Sequence, residues 1–259
     1  GGDWAGEHAR TPRVCEAPAG PREEEGFRTP ELDFSRVERA KGRGTVFPIF
    51  LPRSQKKTVF IVRHGESEFN AADAFGNTWQ DPWIFDAPLT KKGLRQACAL
   101  RAKFGELKDA LWVTSPLTRA IQTCLHACPW YHAEDFNGTN LPQICVRSEI
   151  SEHVMTSGDI GRDKLALARQ FPQLAPQLSE LPDVWWWNPS PKKPNCARKK
   201  QFGTSESKES LKKRCEEFRA WLMARPEQTI VAFGHSTYWK YFTGESRRMK
   251  NGEVVTLYL

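Results

Sequence analysis

The sequence predicts an α/β fold, a doubly wound and mainly parallel central sheet flanked by helices. Thr58–Val62 and Thr229–Gly234 are unbroken apolar runs, the pattern of strands buried on both faces. Helical periodicity recurs between them, with Leu211, Cys215, Phe218 and Leu222 at i, i+4, i+7 and i+11. Strands alternating with helices, with no internal repeat, argue for parallel strands joined by crossover helices.

In chain order, residues 1–57 are rich in Gly, Pro, Arg and Glu and have no periodicity. They are expected to form a disordered or loosely draped extension, leaving 58–259 as the functional domain. Only Val46–Leu51 in this extension is apolar enough to pack on that domain. The first strand ends abruptly in Arg63-His64-Gly65, and a polar and aromatic loop, 67–89, follows it. Thr90 reads as a helix cap, with Leu94, Ala97, Leu100, Phe104 and Leu107 on one broad face of the helix it opens. Ala110–Ser115 is a second strand stopped by Pro116. A helix opening at Leu117–Thr118 then places Arg119 in its first turn. Gln143–Ile150 reads as a third strand and 163–171 as a short helix, followed by an irregular excursion over 172–205. A helix over 204–225, the strand Thr229–Gly234 ending at His235, and a last strand Glu253–Leu259 complete the order.

Composition narrows the function classes. A net charge of +7 favours anionic partners. Nucleic-acid binding would want interleaved aromatics and a recognisable motif, and neither is present, so a small phosphorylated substrate is the expected partner. The seven cysteines are scattered and include no C-x-x-C pair, which points to a reducing, cytoplasmic setting. An organellar leader would be poorer in acids than the opening residues are. No apolar run approaches the roughly 18–20 residues that span a membrane. Cys124, His126, Cys128 and His132 lie close together but match no zinc spacing, so buried helix cysteines with incidental histidines are the stronger reading. Neither a metal nor a cofactor is expected. The sequon Asn137-Gly138-Thr139 carries no weight without an export signal.

Four strands thus end in related groups: Arg63 and His64, then Arg119, then Glu152, then His235. Each is weak alone, but in an open α/β sheet the carboxyl ends of the strands form one ligand-binding edge. The set suits phosphoryl transfer through a covalent histidine. A neutral imidazole is a competent nucleophile, and a neighbouring arginine favours its neutral form. Two guanidiniums and His235 supply fixed donors to the charged phosphoryl oxygens. Glu152 is suited to protonate the departing oxygen and then to deprotonate water.

These residues resemble the histidine phosphatase superfamily, in the branch that includes the cofactor-dependent phosphoglycerate mutases. Arg63-His64-Gly65-Glu66-Ser67 with Asn70 is similar to its signature, and Asp86–Gly93 to its loop before the next helix. Ser115–Thr123 resembles the second signature, Ile150-Ser151-Glu152 the element bearing the acid, and Gly234-His235-Ser236 the one bearing the second histidine. The resemblance spans 58–259 and implies a phosphoglycerate mutase-like fold. It also implies a phosphorylated His64, a phosphate pocket of Arg63, Asn70, Arg119 and His235, and Glu152 as proton donor. Ser236 is a further phosphate donor by backbone or hydroxyl. Glu149 competes with Glu152 for the acid's role, but Glu152 lies beyond the strand, where a loop can aim it. His153 and Asp159 are close enough in sequence to tune it, a surface role being the alternative. Ser157–Arg162, the tryptophan run and Asn251-Gly252-Glu253 set the chain nearer a phosphatase-like subgroup than the mutases themselves.

The expected activity is a metal-independent phosphomonoester hydrolase. The alternatives are a mutase-type phosphotransferase and a catalytically silent phosphate-binding or interaction module. Trp185–Trp187 reads equally as a lid over substrate or as a packed anchor. Lys192, Lys193, Arg198, Lys199 and Lys200 read first as a solvated loop and second as an attractor for a multiply phosphorylated substrate.

Overall fold

A computed structural model describes residues 56–73, 81–105, 107, 109–132, 143–188 and 205–259. The expected extension 1–57, except Lys56 and Lys57, lies outside these residues, as do the sequon and the basic cluster 192–200. Five strands form one sheet in the order β3-β2-β4-β1-β5. They are β1 (Thr58–Arg63), β2 (Leu111–Thr114), β3 (Ile144–Val146), β4 (Thr229–Gly234) and β5 (Val254–Tyr258). All neighbours run parallel except β5, which pairs antiparallel with β1 at the edge.

The apolar strands divide their side chains between two layers, as period-two alternation requires. Val62, Trp112, Val231 and Phe233 face one core, with Leu117, Ile121 and Leu125 of α4 (Thr118–Ala127), Phe104 of α3 (Arg101–Phe104), Leu167 of α5 (Lys164–Gln170) and Leu178 of α6 (Ala175–Ser179). Val59, Ile61, Leu111, Val113, Ile230 and Ala232 face the other, with Leu211, Cys215, Phe218 and Leu222 of α7 (Lys208–Ala224) and Trp239 of α8 (Ser236–Thr243). Both faces are covered, so the strands read as continuous apolar runs. Helices lie on both sides of a mainly parallel sheet, the expected class.

Several elements differ from expectation. The third strand is three residues long and gives way to a 3-10 turn at Ser148–Ile150. Among the described residues its one strand neighbour, β2, ends at Thr114 opposite Val146, and past Arg147 N, which donates to Thr114 O at 2.9 Å, no strand is left for 148–150 to pair with. Thr90 does cap a helix, accepting from Gly93 N, but α2 (Lys91–Ala99) breaks at Leu100 before α3. Within the loop expected over 67–89 lies a short helix, α1 (Glu68–Asp73), and Ser67 bridges Leu89 in antiparallel register. The helix expected over 204–225 starts at Lys208 behind an Ser207 cap. No helix among the described residues is long and apolar enough to cross a membrane.

The tryptophan run is an anchor. Trp185 is 5% exposed in the core beside Leu167 and Leu178, and its Nε1 donates to Arg162 O at 2.9 Å. Trp186 and Trp187 pack on Val154 and Ile160.

Candidate active site

The strand order makes the site. Because β4 lies between β1 and β2, their parallel ends bring His64, Ser115 and His235 side by side. His64 N donates to Gly234 O and Ser115 N to Phe233 O, both at 3.0 Å. The His64 ring is committed on one side, with Nδ1 2.6 Å from Gly65 O. That carbonyl can only accept, so Nδ1 carries the proton and Nε2 keeps its lone pair. Nε2 receives Arg119 Nε–H at 3.2 Å. Burial pushes the His64 pKa well below the ordinary imidazole value, and the charges of Arg119 and Arg63 push it further.

The turn after His64 depends on backbone contact. Gly65 N donates to Thr123 Oγ1 at 3.0 Å, and that hydroxyl donates to Arg119 O at 2.7 Å. A Cβ on Gly65 would lie 2.5 Å from Gly93 O, and one on Gly93 only 2.0 Å from Glu66 O. Glycine is needed at both positions because the first turn of α2 presses on the loop that carries the histidine.

Arg119 is placed by the start of α4. Asp86 accepts from Thr118 N at 2.7 Å, from Thr118 Oγ1 at 2.6 Å and from Arg162 Nε at 2.8 Å, fixing that helix end. Burial pushes the Asp86 carboxyl upward against these bonds. Besides His64, the Arg119 guanidinium meets Gly158 O and, at 3.3 Å, Asp159 Oδ1. Arg63 donates through Nη1 to Met249 O at 2.7 Å, while its buried Nε has no hydrogen-bond partner among the described residues. Asn70, in α1, accepts through Oδ1 from Asn251 Nδ2 at 3.1 Å, and the same amide donates to His64 O at 3.1 Å.

Glu152 meets the amino end of α8. Its Oε1 accepts from His153 N at 2.8 Å and Tyr238 N at 3.0 Å, and its Oε2 from Thr237 N at 3.2 Å. Burial nevertheless raises its pKa, and the neighbouring Asp159 charge raises it further. Glu149 points elsewhere, to an ion pair with Arg147.

Arg63, His64, Asn70, Arg119, Glu152 and Ser236 line one cavity of about 320 Å³. His235 does not line it. That ring is fully buried, its centroid 5.1 Å from the His64 ring. Its Nε2 lies 2.9 Å from Ser115 Oγ, which already accepts from Leu117 N. The other ring nitrogen, Nδ1, has no hydrogen-bond partner among the described residues. Burial and the charge of Arg119 push the His235 pKa well below the usual imidazole value. His153 and Asp159, expected either to tune the acid or to sit at the surface, both line the cavity, as do Thr156 and Arg248. Arg248 escaped sequence reading because it sits in no periodic element, and only the turn into β5 brings it to the mouth. Among the described residues no group of three His, Cys, Asp or Glu side chains gathers as a metal site. Cys124 and Cys128 are buried thiols on the α4 side, both pushed upward by burial.

Comparison with known proteins agrees with the motifs. Residues 59–136 match the family model of the histidine phosphatase superfamily (branch 1). The chain is 36% identical over 88 residues to 6-phosphofructo-2-kinase/fructose-2,6-bisphosphatase of Caenorhabditis elegans, covering 32% of this chain and 16% of that protein. It is 40% identical over 72 residues to a 2,3-bisphosphoglycerate-dependent phosphoglycerate mutase of Brucella ovis, covering 27% of this chain and 32% of the relative. The chain thus spans a third or less of the length of these curated relatives. Among solved structures, a mycobacterial glucosyl-3-phosphoglycerate phosphatase aligns at 17% identity with a TM-score of 0.47, covering 78% of this chain and 90% of that one.

Proposed function

Because residues 59–136 match the family model of the histidine phosphatase superfamily (branch 1), we propose that the chain is a phosphomonoester hydrolase working through a phosphohistidine at His64 Nε2. The observation that carries this reading is the His64 ring, with Nδ1–H spent on Gly65 O and the Nε2 lone pair left beside Arg119 Nε. In the first half-reaction Nε2 attacks phosphorus, the ester P–O bond breaks, and protonated Glu152 gives its proton to the departing alcohol. In the second, the Glu152 carboxylate takes a proton from water as that water attacks phosphorus. The P–N bond then breaks, its electron pair returns to Nε2, and inorganic phosphate leaves. Arg63, Arg119, Asn70 and Ser236 hold the phosphoryl oxygens, with the buried His235 ring packed beside His64. The raised pKa of Glu152 suits a group that must start protonated.

Two other readings remain as outcomes of the test. A mutase, as one relative is named, would return the phosphoryl group to another substrate oxygen. A silent phosphate-binding module would not form the covalent species at all. Incubation with a ³²P-labelled phosphomonoester, quenched in base, should trap label on His64, and an aryl phosphate should release inorganic phosphate. His64→Ala should abolish both. Label without net phosphate release would favour the mutase, and absence of label the silent module.

A further inference from the structure

Glu152 lies in a loop past a three-residue strand, so neither sheet nor helix fixes its backbone. A partly buried arginine on α7, Arg214, does so instead. Arg214 Nη1 donates to Glu149 O at 2.6 Å and to Ser151 O at 2.9 Å, and Nη2 reaches Glu152 O at 3.4 Å. Its remaining donors close on Glu206, Nε to Oε1 at 2.9 Å and Nη2 to Oε2 at 2.8 Å. The Glu206 side chain is fully buried and grips the same loop from its other end. Its Oε2 accepts from Val154 N at 3.2 Å, its backbone N donates to Val154 O at 3.0 Å, and its carbonyl lies 2.8 Å from His153 Nε2. The guanidinium also stacks 5.5 Å from the ring of Tyr238, whose N–H binds the Glu152 carboxylate.

We propose that Arg214, paired with Glu206, is a positioning residue that holds Glu152 at the angle from which it passes its proton. This rests on the acid role given to Glu152 above. The guanidinium uses all five of its N–H directions on Glu206 and on three carbonyls of one loop, so it acts through backbone geometry. It does not touch the Glu152 carboxylate, whose oxygens are taken by amide donors. A displaced loop would leave His64, carried by β1, in place while moving the acid out of reach, and an error of about 1 Å is enough to cost roughly 10²-fold in rate.

The test separates acid positioning from plain stability. kcat/KM reports the phosphorylation step, and phenyl phosphate needs its leaving oxygen protonated far more than 2,4-dinitrophenyl phosphate does. Glu152→Gln, the reference, should lose about 10²-fold or more on phenyl phosphate and only a few-fold on the dinitrophenyl ester. Arg214→Lys and Glu206→Gln should show the same asymmetry, with phenyl phosphate falling by about 10-fold or more relative to the dinitrophenyl ester. Equal losses on the two esters in both variants, while Glu152→Gln remains asymmetric, overturn the positioning role alone. Equal losses in Glu152→Gln itself overturn the acid assignment and the inference with it. Should Arg214→Lys fail to accumulate folded, Glu206→Gln decides, since it keeps the guanidinium and the shape of its partner.

Discussion

At the scale of single residues, the site combines two groups moved in opposite directions by the same burial. His64 is pushed toward its neutral form because a buried imidazolium beside Arg119 and Arg63 is disfavoured, and Glu152 is pushed toward its protonated form because a buried carboxylate beside Asp159 is disfavoured. The proposed first half-reaction needs both of those forms. Activity therefore rises as His64 loses its proton, below the usual imidazole value of about 6.5, and falls as Glu152 ionises, above the usual carboxyl value of about 4.3. The profile of kcat/KM against pH is expected to be a bell with these two limbs. Asp159→Asn removes a charge that raises the Glu152 pKa and frees Arg119, which lowers it, so the descending limb should move to lower pH. A limb that moves upward, or does not move, contradicts this account of Glu152.

At the scale of elements, the histidine turn and the start of α2 are locked by missing side chains. Gly93→Ala would place a methyl 2.0 Å from Glu66 O, against backbone that cannot yield as a flexible side chain would. The helix and the loop must separate, at a cost of about 3 kcal/mol, the upper part of the overpacking range. Urea unfolding measures it. Activity should fall as well, since Gly65 and His64 follow the same loop. Sequence reading found Gly65 and Gly93 as motif letters but not their contact, because 28 positions separate them and the bridge of Ser67 to Leu89 beside them is long-range.

At the scale of the whole molecule, the cavity is built on one edge but braced from both layers. On one side Trp185 stands under the 157–162 loop, with its ring against Gly161 and its Nε1 on Arg162 O, and Arg162 in turn reaches Asp86 at the end of α4. Trp185→Ala should cost about 3–5 kcal/mol, as large aromatic truncations in cores do, and lower the thermal midpoint by several degrees. An unchanged midpoint in calorimetry would show that the run is not an anchor. On the other side α7, through Arg214, supports the loop of Glu152.

Local pattern alone carried the sheet class, the ends of β1 and β4 and the groups borne near them. Apolar runs and motif spacing are local properties, and Arg63, His64, Asn70, Arg119, Glu152 and Ser236 do meet in one cavity. Glu152, read as lying past the strand, lines that cavity, whereas Glu149 turns to an ion pair with Arg147. Only the tertiary structure decided that β3 stops at Val146, that His235 sits behind the cavity, and that Arg248 comes to its mouth. It alone joined Arg214 to a loop 62 positions earlier. Those facts depend on which strands neighbour one another and on how long-range hydrogen bonds are satisfied, and no local pattern encodes either.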